Sequence, residues 1–510
     1  MGIEQYLQQI LSARYGKDVR QSIHDSIYEI NETAKKAEYD ASTAPESAKA
    51  YAQAALASEQ AAEDYKTAAE QAAQQAMSGT PEGYADLVAK VNSIYRQTAT
   101  SFNVVGTSEG SALAHTIYGM SVQDGTPTPS VPVEIKSAKA DFKCVGKNLI
   151  KYPYIHGTTT VTGVTLTDNG DGTITVNGTN TSSTEVYYGL TEHTPIGTLK
   201  NKTLKLSNGW MASSDVWLGL YGYNSSSSLI GNVTTKAHAS ENINITSNAD
   251  NYVVYIRVAG NATISNVTFK PMLTLADADQ TYEPYQHTDV TTDLTLRAIE
   301  VASTDNYNLV KDGKYYIADT VDWSEDEGYQ ITRRVGTFEL DGTETGWMIH
   351  GDGTTSRRFD ILNTSLGIPL PITTYQKSNR FIFSTTNTGE WGTFRFSFDG
   401  YLILKDNQSV ISNVDTLKTW LGTNKPRFDY VLATPTTESI TSEQAQALLS
   451  LKTYDEATSI SATGDIEPSL DLEYSKDRNT ALALTGHNLA HKNALKLNDI
   501  NTALIELGGN

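Results

Sequence analysis

The chain has 510 residues, too many for a single hydrophobic core, and several domains are therefore expected. Acidic residues outnumber basic ones by 59 to 39, so the net charge of −20 repels phosphate backbones and excludes nucleic acid as an expected partner. A single cysteine excludes a disulfide framework within the chain and any zinc site built on several cysteines.

The N-terminal segment, residues 1–34, is predicted to be helical. Ile3, Leu7 and Ile10 recur at three- and four-residue steps, which is typical of an amphipathic helix. Neither this segment nor any later one has an apolar run long enough for a signal peptide or a membrane span. We therefore expect synthesis in the cytoplasm without a signal peptide, and no insertion into a membrane.

Residues 35–100 predict an Ala-rich coiled-coil stalk. One position of the heptad register is occupied by Ala48, Ala55, Ala62, Ala69 and Ala76. After an interruption at 78–83, Leu87, Val91 and Ile94 resume the helical spacing. The alternative is a helix packed on its own domain, but the segment lacks the large apolar face that such docking needs. Because alanine buries little area, contacts elsewhere are expected to set the oligomeric state.

From Ser101 onward the sequence predicts antiparallel β structure. The stretch TVTGVTLTDNGDGTITVNGT (160–179) places two Thr/Val/Ile-rich runs around an Asn/Asp/Gly cluster, which indicates a hairpin. Short strands without helices between them continue to about Tyr474 and favour β-sandwiches. The chain then returns to helix, with Leu497 and Ile500 at helical spacing.

The stretch WLGLYGYN, residues 217–224, contains the candidate binding residues. Alternate residues of a strand face opposite ways, so Leu218 and Leu220 form an aliphatic face and the aromatic residues form the other. The candidates are Trp217, Tyr221 and Tyr223, with Trp210 and Asn224 nearby in sequence.

Two interpretations of this aromatic face remain open at the level of sequence. Large aromatic side chains are usually buried, so the face is either core or a contact with a neighbouring protomer. Alternatively, the rings contact the apolar faces of sugars, while the tyrosine hydroxyls and Asn224 hydrogen-bond to substituents of the sugar ring.

Three further motifs suggest chemistry, and each has a plainer interpretation. Ser108 in GTSEG fits the G-x-S-x-G pattern of hydrolases, but that motif requires a strand-turn-helix elbow, and a Gly-rich turn is favoured. His487 and His491 lie four residues apart and can share a metal on a helix face, although a solvated helix face is favoured. Asp168, Asn169 and Asp171 resemble the start of a calcium loop, but a β-turn demands the same residues, as it does for Asp352. We predict no catalytic residue, metal or cofactor.

Nine blocks, taken in order, carry a family resemblance. They are YGKDVRQSIHDSIYEIN (15–31), SVQDGTPTPSVPVEIKS (121–137), GKNLI (146–150), GDGTITVNGT (170–179), FKPMLTLADADQTYEPYQ (269–286), NLVKDGKYYIADTVDW (308–323), RRVGTFELDGTE (333–344), YVLATPTTESIT (430–441) and LKTYDEATSIS (451–461). The chain resembles tail-fibre, baseplate and receptor-binding proteins of phages that infect Gram-positive bacteria. The first block is similar to a virion-attachment segment. The next four resemble a jelly-roll module related to carbohydrate-binding modules, and the last four resemble the domain that often follows it.

The resemblance implies a non-enzymatic homotrimer located in the virion. It implies attachment to other tail or baseplate proteins through the N-terminal helices, and contact with a host cell-wall or capsular glycan through the β domains. A structural connector that binds other virion proteins is the alternative, and a polysaccharide-degrading enzyme is a third hypothesis.

The expected fold is mainly β, with an N-terminal coiled-coil stalk, antiparallel β-sandwich domains and a short C-terminal helix. The expected boundaries are an attachment segment at 1–34, a stalk at 35–100, a β-rich connecting segment at 101–147, a jelly-roll carbohydrate-binding-like domain at 148–288, a second β-sandwich at 289–474 and a helical segment at 475–510.

Overall fold

The computed structural model covers the chain from residue 94 onward with short gaps. The described residues are 94–207, 215–235, 240–244, 248–350, 356–369, 371–385, 392–407 and 411–508. The chain divides into two units, Met1–Ser93 and Ile94–Asn510, and all described residues belong to the second. The predicted attachment segment, nearly all of the predicted stalk, Trp210 and Asp352 therefore lie outside the described residues.

The described part of the chain is mainly β. Its first strands are β1 (Ile94–Ala99), β2 (Ser101–Thr107), β3 (Gly110–Ser111), β4 (Leu113–Tyr118), β5 (Ser121–Val122), β6 (Lys136–Lys139) and β7 (Phe142–Val145). The next group, which we call the first module, comprises β8 (Thr159–Val161), β9 (Val164–Asp168), β10 (Ile174–Thr179), β11 (Val186–Gly189), β12 (Thr194–Pro195), β13 (Thr203–Ser207), β14 (Val216–Tyr223), β15 (Leu229–Thr235), β16 (Ser240–Asn244), β17 (Asn251–Val258), β18 (Thr263–Phe269) and β19 (Met272–Leu275).

The remaining strands follow the first module in sequence. They are β20 (His287–Val290), β21 (Thr295–Leu296), β22 (Ala298–Val301), β23 (Leu309–Lys311), β24 (Lys314–Ala318), β25 (Thr320–Ser324), β26 (Gly328–Glu339), β27 (Met348–His350), β28 (Ser356–Leu362), β29 (Pro371–Ser378), β30 (Ile382–Phe383), β31 (Thr393–Phe396), β32 (Tyr401–Asn407), β33 (Arg427–Ser439), β34 (Lys452–Thr453), β35 (Glu456–Ala462) and β36 (Ser469–Ser475). Strand pairing is antiparallel throughout the described sheets, except between β30 and β31.

Three α-helices occur within the described residues: α1 (Val414–Asn424), α2 (Ser442–Leu448) and α3 (Arg478–Gly508). The first two interrupt a region for which the sequence predicted only strands. Both begin with a capping box, in which Asn413 accepts a hydrogen bond from the Thr416 amide and Thr441 accepts one from Gln444. None of the described helices is both long enough and apolar enough to cross a bilayer.

The strands of the first module enclose one hydrophobic core. They form sheets with the orders β18-β10-β9-β8, β11-β17-β14-β15 and β16-β13-β19, and β12 also pairs with β17. The predicted hairpin is confirmed, because β9 and β10 pair with Asp168 opposite Ile174. Gly170 and Gly172 in its turn have φ of +85° and +81°, a backbone region that favours glycine.

Segment 101–147 is joined to strands from the C-terminal third of the chain. β2 and β7 both pair with β35 in the order β2-β35-β7-β20, and β4 lies in the seven-stranded sheet β1-β36-β4-β25-β26-β33-β29. Phe102 and Phe142 share one core with Ile460 and Leu472. These sheets, which we call the sheet body, are therefore built from residues that precede the first module in sequence and from residues that follow it.

Residues Ile94–Ala99 form strand β1, so the prediction that the stalk helix continues through Ile94 is wrong. β1 pairs with β36 over its whole length. The Tyr95 ring stacks on Tyr474 with centroids 5.6 Å apart, and Arg96 Nη2 donates to Asp471 Oδ2 over 2.9 Å. These long-range contacts override the local helical spacing, as tertiary context often does.

The predicted C-terminal helix is α3, and its first half packs on the sheet body. A Cβ at Gly110 would lie 2.8 Å from the Cβ of Ala481, so glycine allows the helix to approach closely. The Ser111 amide donates to Thr485 Oγ1 over 2.8 Å. On its other sides and further along, α3 exposes several large apolar side chains, which are Leu482, Leu489, Leu497 and Ile500.

Candidate functional site

One side of the sheet β11-β17-β14-β15 carries a group of tyrosines, which we call the aromatic face. Its members are Tyr187 of β11, Tyr221 and Tyr223 of β14, and Tyr255 and Arg257 of β17. Arg257 lies directly opposite Tyr187 on one neighbouring strand and Trp217 on the other. Residues directly opposite each other in a sheet project to the same side, so the register gathers these side chains.

The other side of the same strands belongs to the core of the first module. Leu218 and Val254 have no exposed surface, and Leu220 and Ile256 are buried with them. The two faces predicted for residues 217–224 are thus both present. Tyr221 and Tyr223 lie outside this core and are half-buried.

Glycines lie opposite Tyr255 on both neighbouring strands. Tyr255 lies opposite Gly189 of β11 and Gly219 of β14. A Cβ at Gly189 would lie 3.7 Å from Cε1 of Tyr255, so the ring lies over that strand. Gly219, the glycine between Leu218 and Leu220 in WLGLYGYN, occupies the equivalent position on the opposite neighbour.

Three of the four tyrosines of the aromatic face, Tyr187, Tyr221 and Tyr255, pack edge to face. The Tyr221 and Tyr255 ring centroids are 5.1 Å apart at an interplanar angle of 78°, and those of Tyr187 and Tyr221 are 6.3 Å apart at 79°. Tyr187 is 49% exposed, and the other three are half-buried. The rings therefore restrict one another while part of their surface stays accessible.

Hydroxyl groups add polar contacts to these rings. The hydroxyls of Tyr223 and Tyr255 lie 3.4 Å apart. Burial, together with this hydrogen bond, raises the pKa of Tyr255 above its ordinary value. The Tyr255 hydroxyl is therefore protonated at neutral pH and can act as donor or acceptor.

Arg257 and Glu185 form an ion pair at the edge of the aromatic face. Arg257 Nη2 donates to the Glu185 carboxylate and, over 3.0 Å, to the Tyr187 hydroxyl, which itself donates to Glu185 over 3.1 Å. The guanidinium carbon lies 4.8 Å from the Tyr187 ring centroid and 5.4 Å from that of Trp217. Only 13% of the Arg257 side chain is exposed, against 36% for Glu185. The pair thus fixes Tyr187 and presents a carboxylate at the rim.

Trp217 lies on the aromatic side of β14, but only 4% of its surface is exposed. The guanidinium of Arg257 lies over its ring. A ring with so little accessible surface cannot stack on a sugar in this conformation, so the prediction that Trp217 offers an exposed ring is corrected. Trp217 instead packs beneath the guanidinium of Arg257.

Asn224 closes the turn between β14 and β15. Its Oδ1 accepts hydrogen bonds from the amides of Ser226 and Ser228, over 3.1 and 2.8 Å. Asp250 also borders this turn and accepts a hydrogen bond from Lys200 Nζ over 2.9 Å. This hydrogen bond lowers the pKa of the Asp250 carboxyl. The Asn224 oxygen is therefore engaged within the turn, and its predicted contact with a sugar would be left to the amide nitrogen.

Sequence reasoning missed Tyr187, Tyr255, Arg257 and Glu185. A period-two signal exists in NYVVYIRV (251–258), where Tyr255 and Arg257 alternate with core residues, but alternation does not reveal which strands are neighbours. His193 was also missed. Its exposed ring lies 4.5 Å from that of Tyr223, at the same end of the face as the β14–β15 turn.

Ser108 lies between two strands, β2 and β3, and so lacks the strand-turn-helix elbow of a hydrolase nucleophile. Its hydroxyl donates to the Lys476 carbonyl oxygen over 2.7 Å, and its own carbonyl accepts from Thr453. These contacts stabilise the turn between β2 and β3, in agreement with the favoured interpretation of GTSEG as a Gly-rich turn.

The Asp/Asn/Gly cluster of the β9–β10 turn is held by its own hydrogen bonds. Asp168 Oδ1 accepts from the Gly170 amide and the Tyr152 hydroxyl, over 2.9 and 3.1 Å. Asp171 Oδ1 accepts from both the amide and the hydroxyl of Thr173. The β-turn interpretation is confirmed for these residues. Among the described residues, no group of three His, Cys, Asp or Glu side chains is arranged to hold a metal ion.

The histidines of α3 do not lie on a fully solvated face, contrary to the favoured interpretation of HNLAH. His487 is exposed, but His491 is half-buried, and its ring lies 4.7 Å from that of Trp323 in β25. His491 is half-buried because α3 packs against the sheet body at Trp323.

No protein-family model matches the chain, and no curated protein matches it either. Among solved structures, the chain is similar to a chain of the Glycosylation Associate Protein (Gap123) complex from Streptococcus agalactiae, at 14% sequence identity and a TM-score of 0.20. The match covers 27% of this chain and 48% of the other, so this chain spans about half the length of the protein it matches.

Proposed function

We propose that this protein is a phage tail or baseplate component that recognises host-surface glycans, and that the aromatic face is its sugar-binding surface. The observation that carries the proposal is the cluster of half-exposed tyrosines on the side of the sheet that faces away from the core of the first module. Recognition of a cell-wall or capsular glycan would be non-catalytic.

The chemistry of the aromatic face suits a carbohydrate. A sugar ring has apolar C–H faces that pack on aromatic rings and hydroxyl groups that need donors and acceptors around them. Tyr187, Tyr221 and Tyr255 supply rings in fixed mutual positions. The Tyr255 hydroxyl and the rim carboxylate of Glu185 supply polar contacts. Because the rings are already packed together, little side-chain freedom would be lost on binding.

The wider context of the proposal rests on the family resemblance of the sequence. Two blocks that carry it, 146–150 and 269–286, lie far apart in the chain but meet in space: Asn148 Nδ2 donates to the carbonyl oxygens of Pro271 and Glu283, each over 3.0 Å. Opening and closing segments that meet are what a jelly-roll-like sandwich requires, and we propose that architecture for the first module.

We also propose a homotrimer that attaches to other tail or baseplate proteins through its N-terminal helices. The observation that favours assembly is the row of apolar side chains on α3, where Leu489 and Leu497 are 55% and 61% exposed. Exposed leucines repeated along one helix are typical of a surface that packs on another copy. If the protein instead acts as a connector in the virion, α3 would still mediate assembly, and the aromatic face would be either free or covered by a second protein.

The proposed glycan recognition is tested by comparing wild-type protein with Tyr221→Ala and Tyr187→Ala. Immobilised cell-wall polysaccharide from the host is the ligand, and biolayer interferometry gives the affinity. Each substitution is expected to weaken binding by about tenfold or more, since one aromatic contact is worth about 0.5–1.5 kcal/mol in addition to the area that it buries. The melting temperature should change little.

Tyr307→Ala is the matched control. Tyr307 is 43% exposed and also packs on a second tyrosine, Tyr315, with ring centroids 4.6 Å apart, but it lies outside the first module. The Tyr307→Ala variant should retain wild-type affinity for the polysaccharide. Equal binding by wild type and both variants of the aromatic face would overturn the proposed site, and polysaccharide cleavage by the wild type would overturn the non-catalytic role.

A further inference from the structure

His487 and His491 form a pair at the junction between α3 and the sheet body. They lie one turn apart on the helix, with ring centroids 4.6 Å apart at an interplanar angle of 68°. His491 meets the Trp323 ring edge to face at 4.7 Å, and His487 lies 6.4 Å from the same ring. Trp323 is next to the last residue of β25, where the chain turns into β26.

The ring nitrogens of this pair make no polar contact within the part of the chain that the structure describes: no hydrogen bond or ion pair reaches either imidazole. Three other histidines differ in this respect: the Nε2 atoms of His115, His287 and His350 lie 2.7, 3.4 and 3.5 Å from carboxylate oxygens.

The separation of the two rings matches that of a chelating pair. Zinc binds imidazole nitrogen at about 2.0–2.1 Å, so two rings on one ion have centroids roughly 4.5 Å apart when the ligand angle is near 90° and roughly 5.2 Å apart at the tetrahedral angle. Histidines at i and i+4 of a helix are the spacing that metalloproteases use for two zinc ligands. The observed 4.6 Å falls within this range.

We propose that His487 and His491 chelate a divalent first-row transition-metal ion of the kind that prefers imidazole, namely Zn²⁺, Ni²⁺ or Cu²⁺. Water completes the coordination, because among the described residues no third His, Cys, Asp or Glu side chain is arranged with the pair to hold an ion.

Such a site would bridge two successive turns of α3 beside Trp323 of β25. The two histidines share a face only when α3 is helical, so the metal binds the folded helix more tightly than the unfolded chain. A ligand of this kind stabilises the folded state by an amount that grows with the logarithm of its concentration above the dissociation constant. The metal would therefore stabilise the part of α3 that carries the exposed Leu489.

The test is calorimetric titration of the full chain with ZnCl₂ and, separately, NiCl₂ at neutral pH, after chelator treatment and dialysis. Wild type is expected to bind one equivalent per chain, and His487→Ala or His491→Ala should each weaken binding by more than about tenfold. His156→Ala is the control, since His156 is exposed in a loop of the first module, and it should bind as wild type does.

A second measurement locates the ion. Cu²⁺ quenches nearby tryptophan fluorescence, and the saturable quenching seen in wild type should disappear in Trp323→Phe while calorimetric binding persists. If an alanine variant fails to fold, as judged by circular dichroism, His487→Gln or His491→Gln replaces it. No saturable binding by wild type, or undiminished binding by the two α3 histidine variants, would overturn the site.

Discussion

Lys147 Nζ lies 2.9 Å from Glu283 Oε1, although the Lys147 side chain has no exposed surface. A second carboxylate, that of Asp279, lies 3.2 Å from the same nitrogen. Burial lowers the pKa of Lys147, but the hydrogen bonds to Glu283 and Asp279 more than offset this and raise it above its ordinary value. This cluster ties the segment that enters the first module to the segment that leaves it.

Removing both carboxylates should therefore destabilise the protein more than removing the lysine. The double variant Asp279→Asn with Glu283→Gln leaves a buried, unpaired charge on Lys147 and should cost about 3–5 kcal/mol. Lys147→Met leaves carboxylates that are 43% and 29% exposed and can be hydrated. Urea unfolding of the two variants gives the comparison, and a larger loss for Lys147→Met would contradict it.

Leu218 and Tyr221 lie three residues apart on β14 but on opposite faces, so their substitutions should have different effects. Leu218 is fully buried in the first core, and Leu218→Ala should cost about 2–5 kcal/mol of folding free energy. Tyr221→Ala removes a half-buried ring and should mainly reduce glycan affinity. Thermal unfolding and polysaccharide binding, measured on both variants, separate the two effects. A large loss of stability in Tyr221→Ala would show that the aromatic face is a packing surface.

Arg257→Lys should impair the aromatic face although it preserves the charge. The planar guanidinium contacts two rings and donates to both Glu185 and Tyr187, which a lysine ammonium cannot reproduce. We expect a loss of about 1–3 kcal/mol in stability, typical of hydrogen bonds to charged groups, together with weaker glycan binding. Lys314, an exposed cation paired with Glu300 in another sheet, provides the control as Lys314→Ala. Wild-type binding by Arg257→Lys would remove Arg257 from the proposed site.

The oligomeric state should depend on α3. Replacing Leu489 and Leu497 with glutamate places charge on the exposed apolar row and should shift a trimer towards monomer in light scattering. Val310→Glu is the control, because Val310 is 52% exposed but lies on β23. A monomeric wild type would remove the proposed trimer, and a variant that remains trimeric would place the assembly contacts outside α3.

Alkaline pH should weaken the core that contains Cys144. Burial raises the pKa of this thiol from an ordinary value of 9.0 to about 11. The folded state holds the proton more tightly than the unfolded chain, so the contribution to stability is complete below pH 9.0 and is lost as the pH rises towards about 11. The loss over this interval should be about 3 kcal/mol. Urea unfolding between pH 8 and 11 should therefore show a shallower decline for Cys144→Ala, and identical slopes would refute the assignment.

Much of the local structure of this protein follows from short-range sequence patterns. Alternation in WLGLYGYN determined which side chains share a face, because strand geometry repeats every two residues. DNGDG determined a turn, because Asp168 and Asp171 can satisfy neighbouring backbone amides while glycine adopts positive φ. Neither feature depends on distant parts of the chain.

Tertiary structure decided which faces meet and which residues are covered. Arg257 and Glu185 are 72 residues apart, and their pairing depends on β11 lying beside β17, which no local pattern specifies. The same holds for Trp217, whose burial arises from the neighbouring strand that carries Arg257. Ile94 has helical spacing in the sequence yet lies in a strand, because β36, formed almost four hundred residues later, offers it a partner. Periodicity is a property of adjacent residues, whereas burial and pairing are properties of the whole fold, and only the fold could bring His491 to Trp323.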